Sequence, residues 1–545
     1  MRRLLPFALA ALLFLTLLPG LAAIEATDWR EARDAEVVRE STAGREWIAA
    51  LYGYEPLFEK PLPGYAHEVV AQRLMRRLVR ADAANLTDVA TSRAVRAALA
   101  AALALMVGVV GARAFGTRAG WLAGCALASS VGLPLAARAD GGQILATLCA
   151  WFAIAAFLGV LQGRARRPGL ARYAGWAALG LAAMTGGPLS ALWPLGGFGL
   201  YFALAKARGA WRELEPGWGA LVVAGIVLPW YAIMTALHGT AFLSHVPWFP
   251  YAIETRGTWL AGPLSALSYT LVLGFPWTPL LGASLRDGIE RLRLPRAERE
   301  HQLRDPAHAQ SLLLALLLAG GAPVALYPGP PLTAALPALP ALALLCGRFL
   351  DRVLDGDVDR RHLSVATQFT AMLGTLLALL AVTLATRLPA AAHGLQLLGA
   401  ALLLASWAPF LADFLGRRKV AASLFALPVA IGAPVLLTQV LPPLEPWLNT
   451  RAVAEAMMSD APANAPLALL EPELPSLRLL LPRHLVQVAD VDSSLRTLVS
   501  HDGRAYLAFR PARETEVVRA LPPGSEILVR TPTLVLARVD FHPER

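Results

Sequence analysis

The sequence predicts an all-α polytopic membrane protein of about thirteen transmembrane helices, each near the roughly 20 residues a bilayer needs, followed by a small C-terminal α/β domain. Three observations predict it. The 545 residues are 56% hydrophobic and only 16% charged, against about 25% charged in a soluble globular domain. Apolar runs long enough to span recur along most of the chain. The loops between them alternate between arginine-rich and arginine-poor, the asymmetry that orients membrane helices. That pattern accounts for the net charge of +10 without any nucleic-acid partner.

Residues 1–23 begin with Arg2 and Arg3, continue through an apolar run and end in Leu-Ala-Ala. Alone, the pattern fits a cleaved signal peptide as well as a first helix. The spans that follow favour an uncleaved helix with its N-terminus inside. Further apolar segments begin near Ala94, Ala119, Gln143, Tyr173, Leu189, Trp218, Gly262, Ser311, Leu332, Val365, Leu395 and Ala421. The Gly186-Gly187-Pro188 stretch reads either as a tight turn or as a break in one long helix. Loops expected inside carry Arg113 and Arg118; Arg164, Arg166, Arg167 and Arg172; Lys206, Arg208 and Arg212; residues 286–304; residues 348–361; and Arg417, Arg418 and Lys419. The alternate loops are poorer in base, which places the long first loop, residues 25–93, on the outer face. Residues 1–441 are then the transmembrane domain. Trp230, Trp248, Trp259 and Trp277, near span ends, read as an aromatic belt. His238 and His245 read as interfacial.

Residues 442–545 change character. Short β-type runs, LALL, HLVQVADV, RAYLAF, EILVR and TLVLARV, alternate with charges and prolines. They predict an α/β domain on the outer face. Cys125, Cys149 and Cys346 all fall in apolar segments and form neither a disulfide framework nor a zinc spacing.

The chemistry concentrates in residues 28–67. Asp28, Arg30, Glu31, Arg33, Asp34, Glu36, Arg39 and Glu40 surround Ala35, Val37 and Val38 at helical spacing. An amphipathic helix lying on the membrane carries such a pattern, and its charges would also pair among themselves. Phe58-Glu59-Lys60-Pro61 is more specific. The prolines at 61 and 63 restrict the backbone, so an adjacent acid and base are presented from a shaped loop. They could hold a metal and a phosphate, or form an exposed ion pair.

The order of these features is a first span, the Arg-x-Ala-Glu-x-x-Arg-Glu helix, Trp47-Ile48, Phe58-Glu59-Lys60-Pro61 and Gly64-Tyr65. Ala-Ala-Arg-Ala-Asp at 136–140 and Leu-Pro-Trp-Tyr at 228–231 follow. In this the chain resembles the lipid A aminoarabinose transferases of the protein O-mannosyltransferase superfamily, which have the GT-C membrane fold. The resemblance implies a bacterial inner-membrane glycosyltransferase with its active site facing the periplasm. It would move a sugar, with inversion, from undecaprenyl phosphate to an outer-face acceptor such as lipid A. By the resemblance, Glu59 is a ligand for a divalent metal. Lys60, Arg33, Arg256 and Arg138 meet the lipid phosphate. The catalytic carboxylate is sought among Glu31, Asp140 and Asp28, because the family's leading Asp-Glu-x-Arg-Tyr reads Arg30-Glu31-Ala32-Arg33-Asp34 here. The family's Lys-Gly-Pro is Gly186-Gly187-Pro188, and its Lys-Leu-Pro-x-Tyr has no counterpart. His245 and Glu254 stand near the place of its metal-binding histidine. These departures keep a second reading open, a non-catalytic relative that binds or regulates in the membrane. A transporter is disfavoured, since no inverted repeat appears and the charges lie in loops.

Overall fold

The structure is a computed structural model that describes residues 4–28, 30–44, 48–58, 61–79, 89–139, 141–205, 209–239, 242, 261–282, 306–326, 332–357, 360–462, 465, 467–470, 474–481, 485–488 and 504–540. Among the site residues named above, Glu59, Lys60, Asp140 and Arg256 lie outside the described residues, as do His245, Glu254, Trp248 and Trp259.

Each apolar segment folds as helix. By length and composition, seven helices among the described residues can cross a membrane, or eight if a bent pair counts as one span. The first helix, α1 (Leu5–Leu17), is short and is followed by α2 (Arg30–Ala43). A small antiparallel hairpin, β1 (Ala50–Tyr52) with β2 (Glu55–Leu57), leads to α3 (Pro63–Val79). Then come α4 (Val89–Phe115), α5 (Thr117–Ala128), α6 (Gly132–Ala139) and α7 (Gly141–Leu161). Helices α4 and α5 pack closely because Gly120 has no side chain: a Cβ there would lie 2.3 Å from the Gly108 carbonyl oxygen.

The segment expected as one span near Ala119 is broken. Helices α5 and α6 meet at 56°. The helix end is closed by backbone bonds from Ser129 N–H to the Cys125 carbonyl and Ser130 N–H to Leu127, and both buried hydroxyls donate back to the same carbonyls, Ser129 Oγ at 2.6 Å and Ser130 Oγ at 2.8 Å. Polar groups inside a membrane need such partners. The Gly186-Gly187-Pro188 stretch resolves as a tight turn between α8 (Pro168–Gly186) and α9 (Leu189–Leu204), with Gly187 at φ +83°.

The C-terminal segment forms a five-stranded sheet in the order β4-β3-β5-β7-β6, comprising β3 (Leu467–Leu469), β4 (Leu485–Gln487), β5 (Arg504–Phe509), β6 (Glu526–Arg530) and β7 (Val535–Asp540). Strand β3 runs parallel to β4 and β5, while β7 is antiparallel to β5 and β6. Tyr506 and Ala508 enter one apolar cluster with Val453 and Met457. Ala505, Leu507 and Phe509 enter another with Val517. Helices therefore cover both faces of the sheet, which is why the strands read as nearly unbroken apolar runs.

Two expectations fail. Helix α2 does not lie on a membrane surface: Glu31, Asp34, Glu36, Arg39 and Glu40 are buried along with its alanines and valines. The aromatic belt does not describe Trp230 or Trp277, which are 9% and 3% exposed. Their indole N–H groups instead donate to Ile48 O and Ser129 Oγ.

Candidate functional site

Helix α2 starts where Glu31 reaches back to Thr27. The Thr27 N–H and hydroxyl both donate to Glu31 Oε2 at 2.9 Å, satisfying a donor that a helix start leaves open. Past that turn the helix is held on two sides. Val37 and Val38 pack with Ala50, Leu62, Tyr65 and Val69. Ala32 and Ala35 pack with Ala26, Val89 and Leu479. The carboxylate of Glu31 is thereby turned toward the first turns of α4.

There it meets Arg93, whose Nε and Nη2 donate to Glu31 Oε1 and Oε2 at 2.7 and 3.0 Å. The remaining Arg93 donors go to the carbonyls of Leu21, Ile24 and Glu25, so the planar fork is fully used. One turn further along α4, Arg96 grips Glu68 of α3 through two bonds of 2.8 Å. Arg96 Nη1 lies 3.9 Å from Glu31 Oε1 and donates to the Arg138 carbonyl at 2.9 Å. His67 Nε2 sits 3.5 Å from Glu68 Oε1. Burial pushes the Glu68 carboxyl up, but Arg96 and His67 together pull it further down and hold the group at about 2. Glu31 is likewise held low: burial pushes it up, and Arg93 with Arg96 pulls it further down. Both carboxylates are ionised at neutral pH. Gly141 closes the network, since a Cβ there would lie 2.3 Å from Glu68 Oε1 and 2.7 Å from His67 Nε2.

The structure thus joins Glu31 and Arg138 in one buried assembly. Arg138 Nη2 donates to the Pro19 carbonyl, while its Nη1 is buried with no hydrogen-bond partner among the described residues. Asp140 follows two residues on. Arg33 and Asp28 face elsewhere. Arg33 stacks over the Tyr52 ring at 5.4 Å, and Arg478 of the C-terminal segment lies over the same ring at 5.5 Å. Asp28 Oδ1 accepts from the Ser476 N–H at 2.8 Å. Its carboxyl is raised by burial, which outweighs the Ser476 hydrogen bonds. Asp28 N–H donates to the Leu448 carbonyl at 2.7 Å, and Glu25 N–H donates to Glu445 Oε1 at 2.9 Å. The first long loop is therefore stitched to the C-terminal segment.

Sequence reasoning missed Arg93, Arg96, Glu68 and Gly141. A signal existed: two arginines at i, i+3 in the first turns of an apolar span are costly unless partnered. As for a metal, the described residues hold no group of three or more His, Cys, Asp or Glu side chains able to ligate one.

No family model matches the sequence, and no curated protein does. Solved structures match in shape. The crystal structure of ArnT from Cupriavidus metallidurans bound to undecaprenyl phosphate superposes with a TM-score of 0.75 at 19% identity, over 98% of this chain and 97% of that one. The same protein in the apo state gives 0.72 with the same coverage. This chain has the GT-C membrane fold. The archaeal oligosaccharyltransferase AglB from Archaeoglobus fulgidus, in complex with an inhibitory peptide and a dolichol-phosphate, matches more loosely. It gives a TM-score of 0.53 at 12% identity over 94% of this chain and 69% of that one.

Proposed function

We propose that this GT-C protein is a membrane glycosyltransferase. It takes a sugar from undecaprenyl phosphate or a similar polyprenyl carrier and passes it to an acceptor at the outer face of a bacterial inner membrane, with lipid A as the candidate acceptor. The observation that carries the reading is the end-to-end likeness to ArnT holding undecaprenyl phosphate, in a chain whose first loop bears Arg33 and Phe58-Glu59-Lys60-Pro61. The division into residues 1–441 and 442–545 belongs to the same reading, as does a periplasmic active site.

In the reaction an acceptor oxygen bonds to C1 of the sugar as the C1–O bond to the carrier phosphate breaks. The bonding pair leaves with the phosphate. Attack from the face opposite the phosphate inverts C1. Positive charge grows on the sugar and negative charge on the phosphate oxygens, so cationic side chains accelerate departure by stabilising the leaving group. Lys60, Arg256 and Arg138 are assigned that task, while Arg33, stacked over the Tyr52 ring, is not. The Nη1 of Arg138, which has no partner among the described residues, is a donor placed for it. A hydroxyl acceptor must also lose a proton to a positioned carboxylate. Glu31 is committed to Arg93 and Thr27 and Asp28 to Ser476, so Asp140 suits the proton best and Glu31 orients the site. A phosphate acceptor is already ionised and needs no base.

The test is transfer from a labelled polyprenyl-phosphate sugar in membranes containing the protein. Lys60→Ala is expected to abolish transfer while leaving expression and thermal unfolding unchanged, and a mass spectrum of lipid A with and without the protein reads the acceptor. One observation favours the second reading, a binding protein without activity: Arg30 stands where the family has an aspartate. Carrier binding with no transfer by the unmodified protein would decide for it.

A further inference from the structure

Phe58, the residue before Glu59 and Lys60, is held by aromatic rings from a distant part of the chain. Its ring lies edge-on to His238 at 5.0 Å and to Phe242 at 5.4 Å. Phe242 is fully buried and touches Trp230 at 5.5 Å and Tyr231 at 5.9 Å. Tilted and edge-on contacts at these separations are the favoured ones for aromatic pairs. The Trp230 indole N–H donates to the Ile48 carbonyl at 2.7 Å. Ala49, Met184 and Met234 complete the cluster. Four segments therefore meet here: both ends of the β1–β2 hairpin, the end of α8, the last turns of the helix Pro216–His238, and the chain just beyond it.

We propose that this cluster is a clamp. It fixes the first long loop, at Ile48, Ala49 and Phe58, to Trp230, His238 and Phe242, so that the chain leaves Phe58 from an anchored point. Phe58 and Trp230 are its positioning residues, acting through the backbone rather than on substrate. The inference rests on the reading of Lys60 as a phosphate-binding residue. The geometry has a physical motive. A flexible lysine on a loose loop pays ordering entropy on every binding event, whereas one on a pinned loop does not. A buried indole must also find an acceptor, and Trp230 finds it on the loop it pins.

Two measurements on the full-length protein in lipid nanodiscs test it. Hydrogen exchange needs no ligand. Phe58→Ala and, separately, Trp230→Phe are expected to speed exchange both in 48–58 and in 239–242, with the α3–α4 segments around Glu68 and Arg96 unchanged. Rates unchanged in 239–242 would show that no clamp exists, whatever the protein binds. The second measurement is binding of undecaprenyl phosphate. Phe58→Ala is expected to weaken it about tenfold, the scale of a small misplacement of a binding group, with Phe58→Tyr restoring it. Faster exchange with unchanged affinity would reduce the cluster to a packing feature and overturn the positioning role. No binding by the unmodified protein would overturn the functional reading on which that role rests, and the exchange result would stand by itself.

Discussion

Two regions of this chain are rich in arginine–carboxylate pairs, and they use them differently. Around α2, α3 and α4 the pairs are buried: Arg93 and Arg96 are 2% and 1% exposed, with Glu31 and Glu68 at 4% and 2%. On the C-terminal sheet they line the surface, as in Arg530–Glu514 and Arg538–Glu526. The distances do not tell the two apart, since Arg93–Glu31 and Arg530–Glu514 both measure 2.7 Å. Environment does. In low dielectric an ion is costly to bury and costlier to strand, whereas water and salt screen a surface pair to little net worth. The buried set is tolerable because its carboxylates and guanidinium groups are hydrogen-bonded several ways at once. It gives the loop one defined position against the spans, the preorganisation that the proposed phosphate site requires.

The sharpest way to break this comparison is to strand one buried partner. Arg96→Ala strands Glu68 in a buried site with only His67 beside it, and the expected cost is about 3–5 kcal/mol, read as unfolding in detergent. Replacing the pair together, Arg96→Met with Glu68→Leu, is expected to recover most of that stability yet not sugar transfer, because the Arg138 carbonyl loses its donor. If the single and double variants were equally unstable, the network would be packing and not charge.

Gly141→Ala tests the same site by shape. The new methyl would fall 2.3 Å from Glu68 Oε1. A free glutamate would swing aside, but this one is locked on Arg96. The expected loss is about 1–3 kcal/mol, typical of overpacking, and Gly141→Ala built on Glu68→Ala should cost much less than on the unmodified protein.

The pH dependence comes next in size. Glu68 is held at about 2 against an ordinary 4.5. A depressed carboxyl stabilises the fold fully above the unfolded value and loses that contribution as pH falls through the folded one. The stability gap between the unmodified protein and Glu68→Gln should therefore be constant above roughly pH 5.5, about one unit over the unfolded value, and should close between 4.5 and about 2. A gap that widened on acidification would contradict the assignment.

The same contrast explains what could be read from the sequence. The C-terminal strands were legible because both sheet faces are covered, so LALL and, after Arg504, AYLAF read as unbroken apolar runs. The spans were legible because hydropathy alone defines them. The environment of α2 was not. Arg-Glu-Ala-Arg-Asp-Ala-Glu looks the same on a wet helix and a buried one, and what decides is Arg93, 62 residues from Glu31 in the chain. Trp230 misled for a related reason: a tryptophan near a span end fits a membrane belt until a loop carbonyl, that of Ile48, supplies its acceptor. The break between α5 and α6 was hidden because Ser129 and Ser130 return their hydroxyls to carbonyls of α5 and cost the segment little hydropathy.

The smallest expected effect is as informative as the largest. Arg530 donates to Glu514 Oε1 at 2.7 Å with its side chain 65% exposed. Breaking that pair returns both groups to water, which solvates them nearly as well as they solvate each other. Arg530→Ala should therefore change stability by less than about 1 kcal/mol. Whatever small difference remains should vanish in high salt, while the penalty of Arg96→Ala should persist there because its partner is shielded from solvent ions. Thermal unfolding of both variants at low and high salt reads the two together. A salt-insensitive loss at Arg530 comparable to that at Arg96 would mean that hydrogen-bond geometry, not burial, sets the worth of these pairs, and the distinction between the two regions would fall.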